Sequence, residues 1–221
     1  TNINNKIIEK SFYPYKWEYQ NAECLTYPDC SFDYVIIHAA LHHCYSPHKA
    51  LNELYRVARK SVIAIESRES LVIRISLALQ LTYQYELPAV KFSSNYENSK
   101  CGGVAGTEIP NFIYRWNERE IEKTINCFAP YSNHKFFYKY AFATPGGVPK
   151  GYFSSYKFLI FKTFALLIGF LFPKQMNLFA FNIIKPDLSK ELFPWLKYDK
   201  DKIRLNSKWL NKNWKLRKVP K

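Results

Sequence analysis

Glycine is scarce in this chain: there are seven in 221 residues, and none precedes Gly102. A glycine-rich loop of the kind that lets backbone approach a phosphate or dinucleotide is therefore excluded from residues 1–101. The five cysteines, Cys24, Cys30, Cys44, Cys101 and Cys127, contain no CxxC pair and are odd in number. That excludes a zinc ribbon or a thiol-redox motif and points to a reduced, intracellular protein, not a disulfide scaffold. Acidic residues are few, 18 against 32 Lys and Arg, for a net charge of +14. Such a balance suits an anionic partner (nucleic acid, an acidic membrane surface, a phosphorylated substrate) or simply a solvated lysine-rich surface. No signal-peptide pattern is present at the N-terminus. The opening Thr1-Asn2-Ile3-Asn4-Asn5, without a start Met, leads to the expectation of a truncated reading frame. What is abundant is apolar side chain: 48% hydrophobic and 18% aromatic residues. That is enough for a core and incompatible with a disordered chain.

The apolar, β-branched runs Phe32–Ile37 and Ser61–Glu66 predict two strands buried on both faces, as in a parallel sheet. Between them Ser46 and Pro47 mark a helix start, Ser46 as the cap and Pro47 at the first position. An apolar stripe follows at Ala50, Leu51, Leu54, Tyr55 and Val57. Strand, helix and strand within this span predict a βαβ unit with a right-handed crossover. Trp17 to Ala22 reads as a further short strand, and Ser70 to Tyr85 as an apolar helix. Asn117 with Glu120 forms a capping-box signature for a helix through Cys127. Strands are expected at Lys135–Phe142 and Phe179–Ile184.

The stretch from Asn21 to His43, with Pro28-Asp29-Cys30-Ser31-Phe32-Asp33-Tyr34-Val35 and Leu41-His42-His43 at its centre, resembles the middle of class I S-adenosylmethionine-dependent methyltransferases. The ubiquinone/menaquinone-biosynthesis type is the nearest in pattern. Ala50-Leu51-Asn52-Glu53-Leu54-Tyr55-Arg56-Val57 resembles that family's next helix. The resemblance is close over residues 17–66 and looser to about residue 186. It implies an α/β fold with a Rossmann-like sheet, mostly parallel with one antiparallel strand, ending in a hairpin of 135–142 with 179–184. It also implies S-adenosylmethionine as the cofactor. Asn21 falls where the family's acidic residue contacts the adenine amino group, and an Asn oxygen can accept from that amine too. Ala22 matches the residue whose backbone N–H faces the ring, and His38 the position after the fourth strand that lines the cofactor. The family's first motif, a glycine-rich loop after the first strand, has no counterpart here. The sheet is therefore expected to be incomplete at its N-terminus, and the chain on its own to bind the cofactor weakly or not at all. Gly102-Gly103-Val104-Ala105-Gly106 follows no strand and opens no helix, so it is no substitute.

His42 and His43 lie past the strand end, on the side where a methyl acceptor would sit, and are the candidate general bases. His38, His42, His43, Cys44 and His48 together invite a metal, but their spacing matches no zinc pattern and methyl transfer needs none. No metal is expected. Glu53 and Arg56 are expected to form an ion pair on the helix, with no catalytic part.

Residues 1–186 are read as the partial methyltransferase domain and 187–221 as a basic C-terminal tail. Segments 67–115 and 143–178 are helical insertions that would cover the site and select the acceptor, a small molecule or a lipid-linked one. Residues 158–172 are apolar but too short to span a bilayer. They suit either a buried lid helix or peripheral membrane contact, which the tail would assist. From Lys197 onward the tail has ten Lys or Arg against two Asp, with Trp209 and Trp214 interleaved, and is expected to be loosely docked. A nucleic-acid partner is not expected. The expected location is the cytoplasm, with the inner face of the membrane as a peripheral site. The alternative function is a non-catalytic, methyltransferase-like protein that binds a membrane or a protein partner.

Overall fold

A computed structural model describes residues 18–87, 109–142, 163–164, 166–200 and 202–214. The chain runs β1 (Phe32–His38), α1 (Pro47–Val57), β2 (Ala58–Ser67), α2 (Leu71–Ala78), α3 (Glu118–Phe128), β3 (Lys135–Ala141) and β4 (Leu178–Ile184). These strands form one mixed sheet in the order β1-β2-β4-β3. β1 and β2 are parallel, with Val35 opposite Val62 and Ile37 opposite Ala64, so α1 is the crossover of the expected βαβ unit. β4 is antiparallel to both β2 and β3, which is the expected late hairpin. The architecture is α/β and Rossmann-like.

One face of the sheet carries the core. Val62, Ala64, Phe179, Phe181 and Ile183 are buried against Leu51 and Leu54 of α1, Ile121 and Ile125 of α3, and Trp116. Each Val, Leu, Ile or Phe among them contributes roughly 1.5–3 kcal/mol by leaving water. The α1 stripe is as predicted, and Pro47 occupies the first turn. Asn117 caps α3 by accepting from the Glu120 N–H at 3.0 Å.

Several expectations are corrected. β1 is an edge strand among the described residues and is covered on one face only. Tyr34 and Ile36 are 59% and 69% exposed, so the run is not buried on both sides. No strand forms at 18–22; Asn21 and Cys24 instead close a turn. The Ser46 hydroxyl makes no capping bond. α2 stops at Ala78, not Tyr85, because Gln80 enters the left-handed region at φ 55° and the Leu81 N–H turns back to the Ser76 carbonyl. Much of the two expected insertions, and residues 158–162, lie outside the described residues. Residues 166–171 are helical but not a buried lid: Leu167, Phe170 and Leu171 are exposed, Phe170 to 82%. Only Gly169 turns fully inward. A Cβ there would lie 2.7 Å from Met176 Cε, so a larger residue would need the Met176 side chain to shift.

The basic tail is not loosely docked over its described part. β5 (Leu196–Asp199) and β6 (Lys202–Leu205) form a hairpin, and α4 (Ser207–Asn213) follows. Trp195 stacks on Phe193 at 4.4 Å between centroids and meets Trp209. The Phe193 N–H bonds to the Tyr131 carbonyl, tying the unit to the turn after α3.

Candidate functional site

The C-terminal ends of the parallel strands β1 and β2 meet at one buried carboxylate. Glu66, near the end of β2, is fully buried. It accepts from the Ala40 N–H and the Leu41 N–H, each at 2.9 Å, and pairs with His42 Nδ1 at 2.9 Å. The chain reaches it by leaving β1 through Ala39 at φ 47°, a left-handed conformation that a non-glycine residue adopts at some cost. Leu41–His43 then form a 3-10 turn with Leu41 and His42 buried. The loop after β1 is thus held by an anion from β2 and does not rest on solvent.

Glu86 closes the other side. Its backbone N–H bonds to the Asn111 carbonyl, and the Ile113 N–H to the Gln84 carbonyl, so segments 84–86 and 111–113 hold each other. Glu86 Oε1 lies 3.3 Å from His42 Nε2, and Oε2 lies 3.6 Å from His43 Nε2. The fully buried Asn111 amide contacts His43 Nδ1 and, at 3.3 Å, Glu86 Oε2. Asn111 Oδ1 is buried and lacks a partner. His42, His43 and Glu86 thus bring one donor atom each within 4.8 Å of one another.

The electrostatics of His42 follow from this placement. Burial alone would lower its pKa, but hydrogen bonds and charge from Glu66 and Glu86 outweigh burial and push it up to about 9. The hydrogen bond to His42 in turn holds Glu86 below the usual carboxylate range, against its own burial. At neutral pH His42 is an imidazolium between two carboxylates.

The other expected site residues lie around the same loop or outside it. His38 ends β1 and is exposed. Asn21 is exposed; its Oδ1 accepts from the Glu23 N–H at 2.9 Å, leaving one lone pair. Ala22 packs on the core. Glu23 accepts from the Ser46 N–H at 3.0 Å, so the 21–24 turn abuts the loop that leaves β1. Cys44 points to the Ala40 carbonyl, with its thiol pushed up to about 11 by burial. His48 pairs with Glu120 on α3 at 2.9 Å and takes no part. Arg56 pairs with Glu53 at 2.8 Å, as expected, and also holds Asp29 and the Leu25 and Tyr27 carbonyls. Glu66 and Glu86 are the members that sequence reasoning missed. Glu66 reads as the last residue of a strand, and Glu86 is 44 positions from His42 with no motif around it.

A second cleft, of about 320 Å³, lies at the opposite end of the sheet, lined by Cys30, Tyr55, Phe128, Tyr131, His134 and Lys185 among others. There Tyr55 bonds His134 Nε2 at 2.6 Å, and Asn126 Oδ1 accepts from His134 Nδ1 at 3.0 Å. Burial, with the nearby Lys185 charge, lowers the His134 pKa.

Residues 3–65 match the family model described as a methyltransferase domain. That segment includes β1, α1 and most of β2. Solved structures with a similar arrangement include a Thermotoga maritima protein described as a SAM-dependent methyltransferase and possible histamine N-methyltransferase. It has 16% identity and a TM-score of 0.38, with 75% of this chain and 62% of that chain covered. A putative methyltransferase from Bacillus halodurans has 14% identity and a TM-score of 0.43, with 84% and 78% covered. The YcgJ protein of Bacillus subtilis has 14% identity and a TM-score of 0.42, with 83% and 76% covered. The chain spans less than two thirds of the length of the Thermotoga protein. No curated protein matches the chain.

Proposed function

We propose that this chain, with methyltransferase-domain sequence at residues 3–65, takes part in methyl transfer from S-adenosylmethionine to a small-molecule or lipid-linked acceptor. The observation that carries the reading is the βαβ unit β1-α1-β2, whose loop leaves β1 onto Glu66 at the end of the strands where α/β proteins bind ligands. Asn21, Ala22 and His38 would hold the adenosyl end of the cofactor. The fit is one of donor chemistry: Asn21 is exposed and keeps a lone pair for an amine, and His38 is exposed at the strand end. S-adenosylmethionine supplies a methyl group on a sulfonium. The chain's part is alignment, which can account for about 7–11 kcal/mol of such a barrier. His42 and His43 form the acid–base group on the acceptor side. His42 holds a proton between Glu66 and Glu86, and His43, half-buried beside it, is the member that receives the acceptor's proton.

The test is photo-crosslinking of the complete gene product with an azidoadenosyl analogue of S-adenosylmethionine. Label in peptides containing residues 21–22 or 38–41 is expected. Label confined to other peptides, or a complete gene product that binds neither the cofactor nor its demethylated product, refutes the reading.

The acceptor class is read from the apolar surface. Leu167, Phe170 and Leu171 are exposed, as are Leu71, Ile75 and Leu79 on α2, and Ile168 and Val72 line a shared pocket between the two segments. Among the described residues no helix is long and apolar enough to cross a membrane. A surface of this kind on a chain of charge +14 suits contact with an anionic bilayer. Phe170→Asp is expected to abolish co-sedimentation with phosphatidylglycerol vesicles, and unchanged sedimentation would remove the lipid-linked acceptor from consideration.

A further inference from the structure

We propose that His42, His43 and Glu86 form a binding site for a divalent transition-metal ion of the zinc class, with Nε2 of each histidine and the Glu86 carboxylate as donors. The orientation of the rings carries the inference. Both imidazoles turn Nε2 toward the same carboxylate, at 3.3 Å and 3.6 Å from its two oxygens. Both have Nδ1 engaged from behind: the Glu66 carboxylate accepts from Nδ1 of His42 at 2.9 Å, and the Asn111 Nδ2 amide donates to Nδ1 of His43, so only His42 has the rear acceptor that directs Nε2 to an ion. Metal-bound histidines are held as His42 is, because a rear acceptor on Nδ1 fixes the tautomer and the ring orientation; His43 reaches the same state once the Asn111 amide turns over. The three donor atoms lie within 4.8 Å of one another. A tetrahedral ion with bonds of about 2.0–2.1 Å needs separations of roughly 3.3 Å. The contraction is within reach of small rotations of His43 and Glu86, the two half-buried members.

Charge and donor type choose the ion. Glu66 and Glu86 supply two negative charges around the site, which match a divalent cation that displaces the Nε2 proton of His42 on binding. Two nitrogen donors and one oxygen select zinc and its first-row neighbours over magnesium, which prefers oxygen alone. Three protein donors leave a position open for a further ligand. Asn111 fits the same scheme. If its amide turns over, the buried Oδ1 that now has no partner accepts from the His43 Nδ1–H, which frees Nε2 of His43 for an ion. If the methyl-transfer reading also holds, an ion here would face the acceptor, take the place of the His42–His43 acid–base pair and make the acceptor's hydroxyl or thiol more acidic. That consequence rests on the reading above; the site itself does not.

The experiment measures metal and no methylation. Untagged protein, stripped with chelator, is dialysed against Zn²⁺, with Mg²⁺ as the comparison, and bound metal is determined per chain. One Zn²⁺ per chain and no Mg²⁺ is expected. Co²⁺ in place of Zn²⁺ should give the visible absorption of a four- or five-coordinate site. Glu86→Gln and His43→Ala, on half-buried side chains, should remove stoichiometric Zn²⁺ while circular dichroism shows the fold retained. Asn111→Ala, which leaves all three donors in place, should weaken binding about 10–100-fold. His48→Ala should change nothing. Folded wild-type protein that binds no Zn²⁺, or variants that bind it as well as wild type, would overturn the assignment. Stoichiometric Zn²⁺ on a protein that binds no S-adenosylmethionine would keep the site and remove the methyltransferase reading.

Discussion

The two ends of the sheet each hold a histidine, one buried and one half-buried, and the two behave in opposite ways. At the C-terminal ends of β1 and β2, His42 lies between Glu66 and Glu86 and its pKa is pushed up to about 9. At the other end, His134 faces the Tyr55 hydroxyl and the Lys185 ammonium, and its pKa is lowered. Burial penalises the charged ring in both places. The two carboxylates beside His42 overturn that penalty, whereas at His134 burial prevails with Lys185 adding to it, and this decides which end can carry ionic chemistry. Glu66 is the residue on which this contrast turns. Glu66→Ala leaves the Ala40 and Leu41 N–H groups and the His42 cation without their buried acceptor, at an expected cost of about 3–5 kcal/mol in urea unfolding. Glu66→Gln keeps the shape, and should cost less while moving the His42 titration down. A cost below about 1 kcal/mol for Glu66→Ala would show that the rim is solvated and the contrast unfounded.

The pH dependence sharpens the same comparison in metal-free protein. His42 binds its proton more tightly folded than unfolded. Its contribution is therefore complete below the unfolded value of 6.5 and is lost as pH rises through about 9. His134 has the reverse sign: it contributes above 6.5 and loses its contribution as pH falls. Stability from this pair should thus peak near pH 6.5 and decline on both sides. Nitrogen-detected imidazole titrations would separate the two, with one ring still protonated at pH 8 and the other neutral at pH 6.5. Two rings titrating together near 6.5 would break the contrast.

The βαβ unit was legible because its signals are local. Short runs rich in apolar and β-branched residues at Phe32–Ile37 and Ser61–Ile65, and Ser46-Pro47 before an apolar stripe, need no knowledge of distant residues. The same locality explains what was missed. Periodicity cannot say that β1 is an edge strand, because exposure of Tyr34 and Ile36 depends on what packs there. His42 and His43 were visible as a pair, but their chemistry is set by Glu66 and Glu86, 24 and 44 positions from His42. Glu86 is placed by the pairing of 84–86 with 111–113, which nothing in either segment announces. The tail read as solvated because its charge is high. Its hairpin depends on a left-handed Lys200 at φ 49° and on stacked Phe193 and Trp195, and composition shows neither.

The smallest expected effect belongs to the cationic end. Tyr55→Phe removes one neutral hydrogen bond, from the Tyr55 hydroxyl to His134 Nε2, while the ring stays in the core. The Asn126 carbonyl oxygen fixes the proton on Nδ1 of His134, so Nε2 is the acceptor and the ring is neutral. Loss of the hydroxyl leaves that acceptor in a cleft of about 320 Å³, where water can replace the donor. The cost should therefore be about 1 kcal/mol, well below that of Glu66→Ala, and the His134 titration should stay below 6.5 because burial and Lys185 are untouched. A Tyr55→Phe protein as destabilised as Glu66→Ala would mean that the hydroxyl, and not the charge balance, organises this end of the sheet.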